Sequence, residues 1–365
     1  MAQLRGFYTT RKIVVIESDD WGSIRTKNKV AQQIILAKYP KVINDPYFQF
    51  DALEDKNDLS ALFEVLTSVK DKNQNHACIT ANMIMANPDF IKIKKDNFQK
   101  YYYEKFTTTL YNRDKTDEVL QMTRYGIKIN IFKPQLHGRE HLSVNQWLNE
   151  LNNAHEALLL AFDNKMFGIP IDVPINKRNN VMAALDFMNP IEVLEHEKIL
   201  AAAQSIFKET FGFDSKTFIA PCYVWGKSHE PILKKLNINT LQGLPYQLSP
   251  SESNNYKTSI RYTGMQSKAG LTHLVRNAFF EPSLVKNKES VVGDCLKRID
   301  LAFKTYKPAI IGSHRLNFIG SLDEKNRTDN LKSFKILLEQ IVSKWPDVEF
   351  MSSDQLAGIM QNPSR

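Results

Sequence analysis

Two carboxylates, Asp19 and Asp20, stand side by side at the end of a β-branched run in "IVVIESDDWGS", residues 13–23. Adjacent acids repel and lose hydration when buried, unless a cation, a proton or hydrogen bonds offset them. Such a pair is either a solvated turn that caps a helix, or a site where one acid holds a metal and the other takes a proton. His137 and His141, in "KPQLHGREHLS", are spaced i, i+4. That spacing puts both imidazoles on one side of a helix or a tight loop. With 8 histidines in 365 residues, chance supplies roughly 0.2 such pairs, so the spacing needs support from position. Two imidazoles and one carboxylate are a common ligand set for a catalytic divalent metal with open positions; zinc is the first choice, and cobalt, manganese or iron also fit. A second carboxylate can take a proton from water, and a later histidine, such as His314 in "IIGSHRLNF", can protonate a leaving group.

Position is set by alternating elements. Lys12–Glu17 reads as a buried strand, and Asp58–Lys70 carries Leu59, Leu62, Phe63, Leu66 and Val69 at helical spacing. Further strands are predicted at Ala77–Ala81, Ile129–Pro134, Val181–Leu185, Thr217–Ala220, Ile238–Leu241, Ala309–Gly312 and Val348–Met351. Between them fall a helix over Thr116–Tyr125 stopped by Gly126, a helix opened by Ser143, and a long helix from Asn189-Pro190 to Gly212; Ser353 caps a terminal helix. Repeated strand–helix units predict an α/β chain with a parallel sheet, best drawn as a distorted (β/α) barrel of seven or eight strands. Residues 1–365 read as one domain with insertions near 90–113 and 243–290. The first is an aromatic and basic stretch read as packing elaboration, or as a lip over the substrate. A (β/α) barrel keeps its functional groups at the C-terminal ends of its strands. Asp19-Asp20, His137 and His314 all follow strands, whereas His76, His155, His196, His229 and His273 do not and read as structural or surface histidines.

The bulk properties allow this. Charged residues are 24% and the formal charge is +8, with lysines spread along the chain instead of forming one block. That spread argues for a solvated surface and against a nucleic-acid interface. Cys78, Cys222 and Cys295 form no CxxC and no disulfide framework. No stretch is apolar enough to span a membrane, and the N-terminal residues carry no apolar leader, so a cytoplasmic protein is expected.

The ordered set resembles the polysaccharide deacetylase (carbohydrate esterase) superfamily, which includes chitin and peptidoglycan N-deacetylases. That family has an Asp-Asp pair after strand one, a His-Ser/Thr-x-x-His motif after strand three, a Pro-containing motif in mid-chain and a late His motif. Here these are Asp19-Asp20, His137 to His141, "FIAPCYVWG" at 218–226, and His314. The resemblance implies that Asp20, His137 and His141 bind the metal, that Asp19 is the catalytic base and that His314 is the catalytic acid. The chain departs from the pattern at Gly138, where the family has Ser or Thr, and at Trp21-Gly22, where it has Gly-Pro. Ile219 and Ala220 occupy the neighbourhood of an Arg that contacts the base; Pro221 is kept, and Arg315 or Arg139 is available as a replacement guanidinium. A backbone N–H at Cys222 or Tyr223 would serve as oxyanion donor.

The expected activity is metal-dependent removal of an N- or O-acetyl group from a carbohydrate or glycan precursor. Trp21, Tyr223, Trp225, Arg276 and Arg315 are expected to contact the substrate. Asp186, at the end of a fourth strand, either contacts substrate or caps a helix. Arg276, Asn277 and Glu281 of "HLVRNAFFEPS" would line a sugar site. The alternatives are hydrolysis of another C–N bond, as in an allantoin-like amide, or a catalytically silent glycan-binding protein, which the missing motif Arg would favour. Sugar identity and oligomeric state are not read from these residues.

Overall fold

A computed structural model describes residues 5–170, 181–251 and 255–361. Its centre is β1 (Lys12–Trp21), buried along its length after Lys12. Around it a nine-stranded sheet is built from β2 (Ile79–Ile84), β3 (Phe132–Gly138), β4 (Thr217–Ile219), β5 (Thr240–Gly243), β6 (Thr272–Val275), β7 (Ala278–Phe279), β8 (Ala309–His314) and β9 (Val348–Met351). The order is β6-β5-β4-β3-β2-β1-β8-β7, with β9 laid along the first half of β1. Every pairing in it is parallel. The two end strands, β6 and β7, are separated in the chain only by Arg276 and Asn277. The Arg276 N–H donates to Gly243 O at the β5 side, at 3.0 Å, and the Asn277 N–H to Ile310 O at the β8 side, also at 3.0 Å. One extended segment thus pairs first with one edge and then with the other. This is the distorted (β/α) barrel expected from the alternation, with its seam at Arg276-Asn277.

Helices cover the sheet because each carries one apolar stripe. α1 (Lys56–Thr67) starts at an Asp55/Asp58 capping box and buries Leu59, Leu62, Phe63 and Leu66. α2 (Glu118–Lys128), α3 (Glu192–Phe211), α4 (Ser290–Lys304), α5 (Glu324–Lys344) and α6 (Ser353–Gln361) complete the outer layer. α3 ends at Gly212 in the left-handed conformation. Gly126 lies inside α2 instead of stopping it, because the helix presses there on α1 and β3: a Cβ would sit 2.6 Å from the Phe63 ring and 2.8 Å from Phe132 Cβ. No helix among the described residues is long and apolar enough to cross a membrane.

Two expected elements differ. Val181–Leu185 is buried but forms turns, not a strand, so Asp186 follows no strand end. Residues 243–290, expected as an irregular insertion, supply β6 and β7 and a separate hairpin, Tyr246–Ser249 with Lys257–Ile260. In 90–113, the helices Phe90–Lys95 and Phe106–Asp114 flank a short strand paired antiparallel with Ala86–Pro88. Phe90 and Ile93 pack with Trp147 and Phe162 in a second apolar cluster.

Candidate active site

In a regular strand, Asp19 and Asp20 would point to opposite faces. They do not, because β1 changes register against β2 between Ser18 and Trp21 and Asp20 adopts the left-handed backbone, φ 77°. Both carboxylates therefore line one cavity of about 400 Å³ with His137, His141, Tyr223 and His314. His137 is the penultimate residue of β3, and the following residues turn back so that His141 reaches the same point. The turn is braced: Arg139 donates to the Glu140 carboxylate through Nε at 2.5 Å and Nη2 at 2.8 Å, and its guanidinium lies 4.3 Å over the Tyr103 ring.

Asp20 Oδ1 is 3.4 Å from His137 Nε2 and 3.4 Å from His141 Nε2, and the three donor atoms lie within 4.8 Å of one another. Asp20 Oδ1 is buried and has no hydrogen-bond partner among the described residues. His137 Nδ1 is 2.9 Å from the Ile219 carbonyl, which accepts only if that nitrogen carries a proton, and Nε2 is the nitrogen that faces Asp20. Burial, against the opposing pull of Asp20, pushes His141 down to about 3, so its imidazole is neutral. A buried carboxylate oxygen without a donor, facing two imidazole nitrogens, fits a divalent metal. Asp20, His137 and His141 are the residues that would hold it.

Asp19 is bound differently. Its Oδ1 accepts from Arg276 Nη2 at 2.6 Å and Asn82 Nδ2 at 2.7 Å, and its Oδ2 accepts from Arg276 Nη1 at 2.8 Å. Burial raises this carboxyl, but the bidentate guanidinium outweighs burial and the result is about 2. Asp19 pairs in register with His314 across β1 and β8, and His314 Nε2 lies 3.7 Å from Asp19 Oδ2. On its other side His314 Nδ1 is 2.7 Å from Glu281 Oε1, and Asn317 Nδ2 donates to Glu281 Oε2 at 2.7 Å. Burial lowers His314, yet Glu281 leads the groups that raise it, to about 9.

Several expected contacts sit elsewhere. Arg276, expected at a substrate rim, is 1% exposed and spends its fork on Asp19 and, through Nε at 2.7 Å, on Glu17. It supplies the guanidinium that Arg315 or Arg139 was expected to supply. Arg315 is fully buried on Asp51 and Glu54, which in turn accepts from the Gly22 N–H at 3.0 Å, so it braces the loop after β1. Trp21 is fully buried in the core, where its indole N–H donates to Ser18 Oγ at 3.0 Å. Trp225 is buried against His273. Asp186 accepts from the Tyr256 hydroxyl at 2.8 Å and does not line the cavity. Asn277 is spent on the seam, donating to Pro308 O and accepting from the Ile310 N–H. The Tyr223 N–H, expected as an oxyanion donor, donates to Ala220 O at 2.9 Å within its own turn, where Cys222 and Tyr223 are both left-handed. The Tyr223 hydroxyl accepts from Arg276 Nη1 at 2.9 Å, so its own proton is left to point into the cavity. Burial, the leading cause, raises that phenol well above its ordinary value and keeps it a donor.

The chain that follows β1 lines the cavity with Arg25, Thr26, Asp45, Tyr47 and Phe48, none of them singled out in the sequence. Glu281 was singled out, but as a sugar contact. In the structure Arg276 and Glu281 stand just after short strands of the main sheet, β6 and β7.

No protein-family model matches the chain, and no curated protein matches it. Similar solved structures include a protein described as a probable polysaccharide deacetylase from Pseudomonas aeruginosa, at 9% identity, TM-score 0.48, covering 98% of this chain and 94% of that one. Puue allantoinase is similar at 7% identity, TM-score 0.47, covering 98% and 93%. A branching enzyme from the hyperthermophilic archaeon Thermococcus kodakaraensis is similar at 10% identity and TM-score 0.47, covering 98% and 72%. Likeness this distant does not choose among those activities.

Proposed function

We propose that the chain is a divalent-metal-dependent hydrolase that removes an acetyl group from the nitrogen or oxygen of a carbohydrate. The observation that carries this reading is the pairing, in one cavity, of the Asp20–His137–His141 donor set with two differently supported proton carriers. A metal held by those three residues would supply Lewis acidity at the acyl oxygen and at a water. Asp19, fixed by Arg276 and Asn82, takes the proton of the attacking water. The Tyr223 hydroxyl, held by Arg276, donates to the acyl oxygen as negative charge grows there, the task of an oxyanion donor. His314, backed by the Glu281 carboxylate, gives its Nε2 proton to the leaving nitrogen or oxygen as the bond to the acetyl carbon breaks. Acetate and the free amine or alcohol result.

The absent motif Arg was the ground for a silent glycan-binding protein, and with Arg276 bidentate on Asp19 that ground is gone. The experiment is acetate release from N- and O-acetylated sugars by protein loaded with zinc, cobalt or manganese, against the same protein stripped by chelator. Metal-dependent release is expected. Metal-loaded protein that releases acetate from none of them, yet cleaves an allantoin-like amide, would move the assignment to other C–N bonds.

A further inference from the structure

Among the described residues four arginines surround the candidate site, and three are ion-paired to carboxylates at 2.5–2.9 Å. Arg276 is spent on Asp19 and Glu17, Arg315 on Asp51 and Glu54, and Arg139 on Glu140. Arg25 is different. Its side chain is 17% exposed and it lines the cavity. Its Nη2 stands 3.7 Å from Asp20 Oδ2 and its Nε 3.7 Å from Asp51 Oδ2. Charge-assisted N–H···O bonds close to about 2.7–2.9 Å, so neither carboxylate is hydrogen-bonded to it. Among the described residues its one hydrogen bond is from Nη1 to the Met182 sulfur, at 3.5 Å, and a thioether is a weak acceptor.

The guanidinium is nevertheless held. Its carbon lies 5.0 Å over the Tyr47 ring and 6.0 Å over that of Phe167, and the Tyr47 ring meets His314 edge-on at 5.5 Å. These cation–π contacts hold the charge without using its N–H groups as hydrogen-bond donors. A cation kept only to neutralise Asp51 would close onto it, yet Asp51 Oδ2 has no hydrogen-bond partner among the described residues. A mostly buried cation whose one hydrogen-bond acceptor among the described residues is a thioether calls for a stronger acceptor that enters the cavity.

We propose that Arg25 receives an oxyanion, a carboxylate or a phosphate, carried by the substrate, so that the acetylated sugar is anionic. The inference rests on the hydrolase reading above for the acetyl group, but not for the anion. The shared chemistry is a planar face of two oxygens accepting from the fork. The Asp45 carboxyl also lines this cavity, but its Oδ1 is engaged by the Phe48 N–H at 2.9 Å. Arg25 therefore sets specificity, choosing charged over neutral sugars at the same acetyl chemistry.

The test compares N-acetylglucosamine, its 6-phosphate and the corresponding uronate, by calorimetric binding to zinc-loaded protein and by acetate release. Wild type is expected to bind the uronate or the phosphate about tenfold or more tightly than the neutral sugar, since hydrogen bonds between charged partners exceed neutral ones. Arg25→Gln should erase that preference with zinc content unchanged. Arg25→Lys should keep part of it for the phosphate, which accepts a point charge, and less for the uronate. Binding of the neutral sugar by each variant reports a folded cavity. Equal binding of all three sugars by wild type, or an intact preference in Arg25→Gln, overturns the proposal. So does zinc loss in Arg25→Gln, which would make Arg25 a positioning residue for Asp20. An Arg25-dependent preference without any acetate release upholds the anion site and removes the hydrolase reading instead.

Discussion

An aspartate tolerates the left-handed backbone better than bulkier or β-branched residues, and at Asp20 that tolerance decides the chemistry. Without φ 77° at this position and the register change beside it, one of the two acids would face away from the cavity. The two then part in role through their partners. Asp20 keeps a bare oxygen opposite two imidazoles, while Asp19 takes a bidentate guanidinium and an amide. Asp19→Asn keeps the shape but cannot take a proton. The expected result is a kcat lower by ~10² or more with metal still bound, as for loss of a general base; kcat measured alongside metal analysis checks it, and a wild-type kcat would remove Asp19 from the proton path. The five residues expected to share a site do line one cavity, and their positions after strands are why they were legible. The partners were not. Arg276 meets Asp19 across 257 positions of chain and Glu281 meets His314 across 33, and no local spacing encodes such pairs. Arg276 and Arg315 read as substrate contacts in the sequence because burial of an arginine is decided by distant carboxylates, not by its neighbours in sequence.

At the scale of elements, long periodic segments were readable and short ones were not. α1 and α3 follow apolar spacing and cap residues. β6 has four residues and β7 two, too few for a period-2 pattern to stand out between turn residues. Missing them made 243–290 look like an insertion and hid the seam that carries Arg276. Val181–Leu185 failed in the opposite direction. Its buried apolar residues reflect packing beside the cavity, where Val181 and Met182 form the wall, and a short apolar run does not separate strand from buried coil. Gly126 reads as a helix stop by composition, yet only contact with Phe63 and Phe132 explains it. The chain between β1 and α1 resisted reading for the same reason: a short helix, Pro46–Phe50, hangs Tyr47 over the site, and its fold depends on what it covers.

For the whole molecule, three histidines outside the site couple stability to pH. Gly226 N–H donates to His229 Nδ1 at 2.9 Å, so His229 carries its proton on Nε2 and gives it to His196 Nδ1 at 2.9 Å. Burial is the leading cause that lowers His196 to about 4, His229 to about 3 and His273 to about 4. Unfolded, each titrates near 6.5, so below that pH the unfolded chain binds more protons and stability falls as pH falls. Asp51 and Asp58, both raised to about 6 with burial the leading cause, act in the opposite sense below that value and offset part of the loss. Urea midpoints of chelator-treated protein should therefore fall from pH 6.5 toward 4.5, most steeply at the start; a midpoint rising over that interval would contradict the burial of these rings. The central claim, that Asp20, His137 and His141 form one metal centre, is tested most directly by anomalous scattering at the zinc edge from crystals grown with zinc. The account predicts a single strong peak at about 2.0–2.2 Å from His137 Nε2, His141 Nε2 and an Asp20 carboxylate oxygen. A map without a peak there, with zinc bound elsewhere on the chain or not at all, would contradict it.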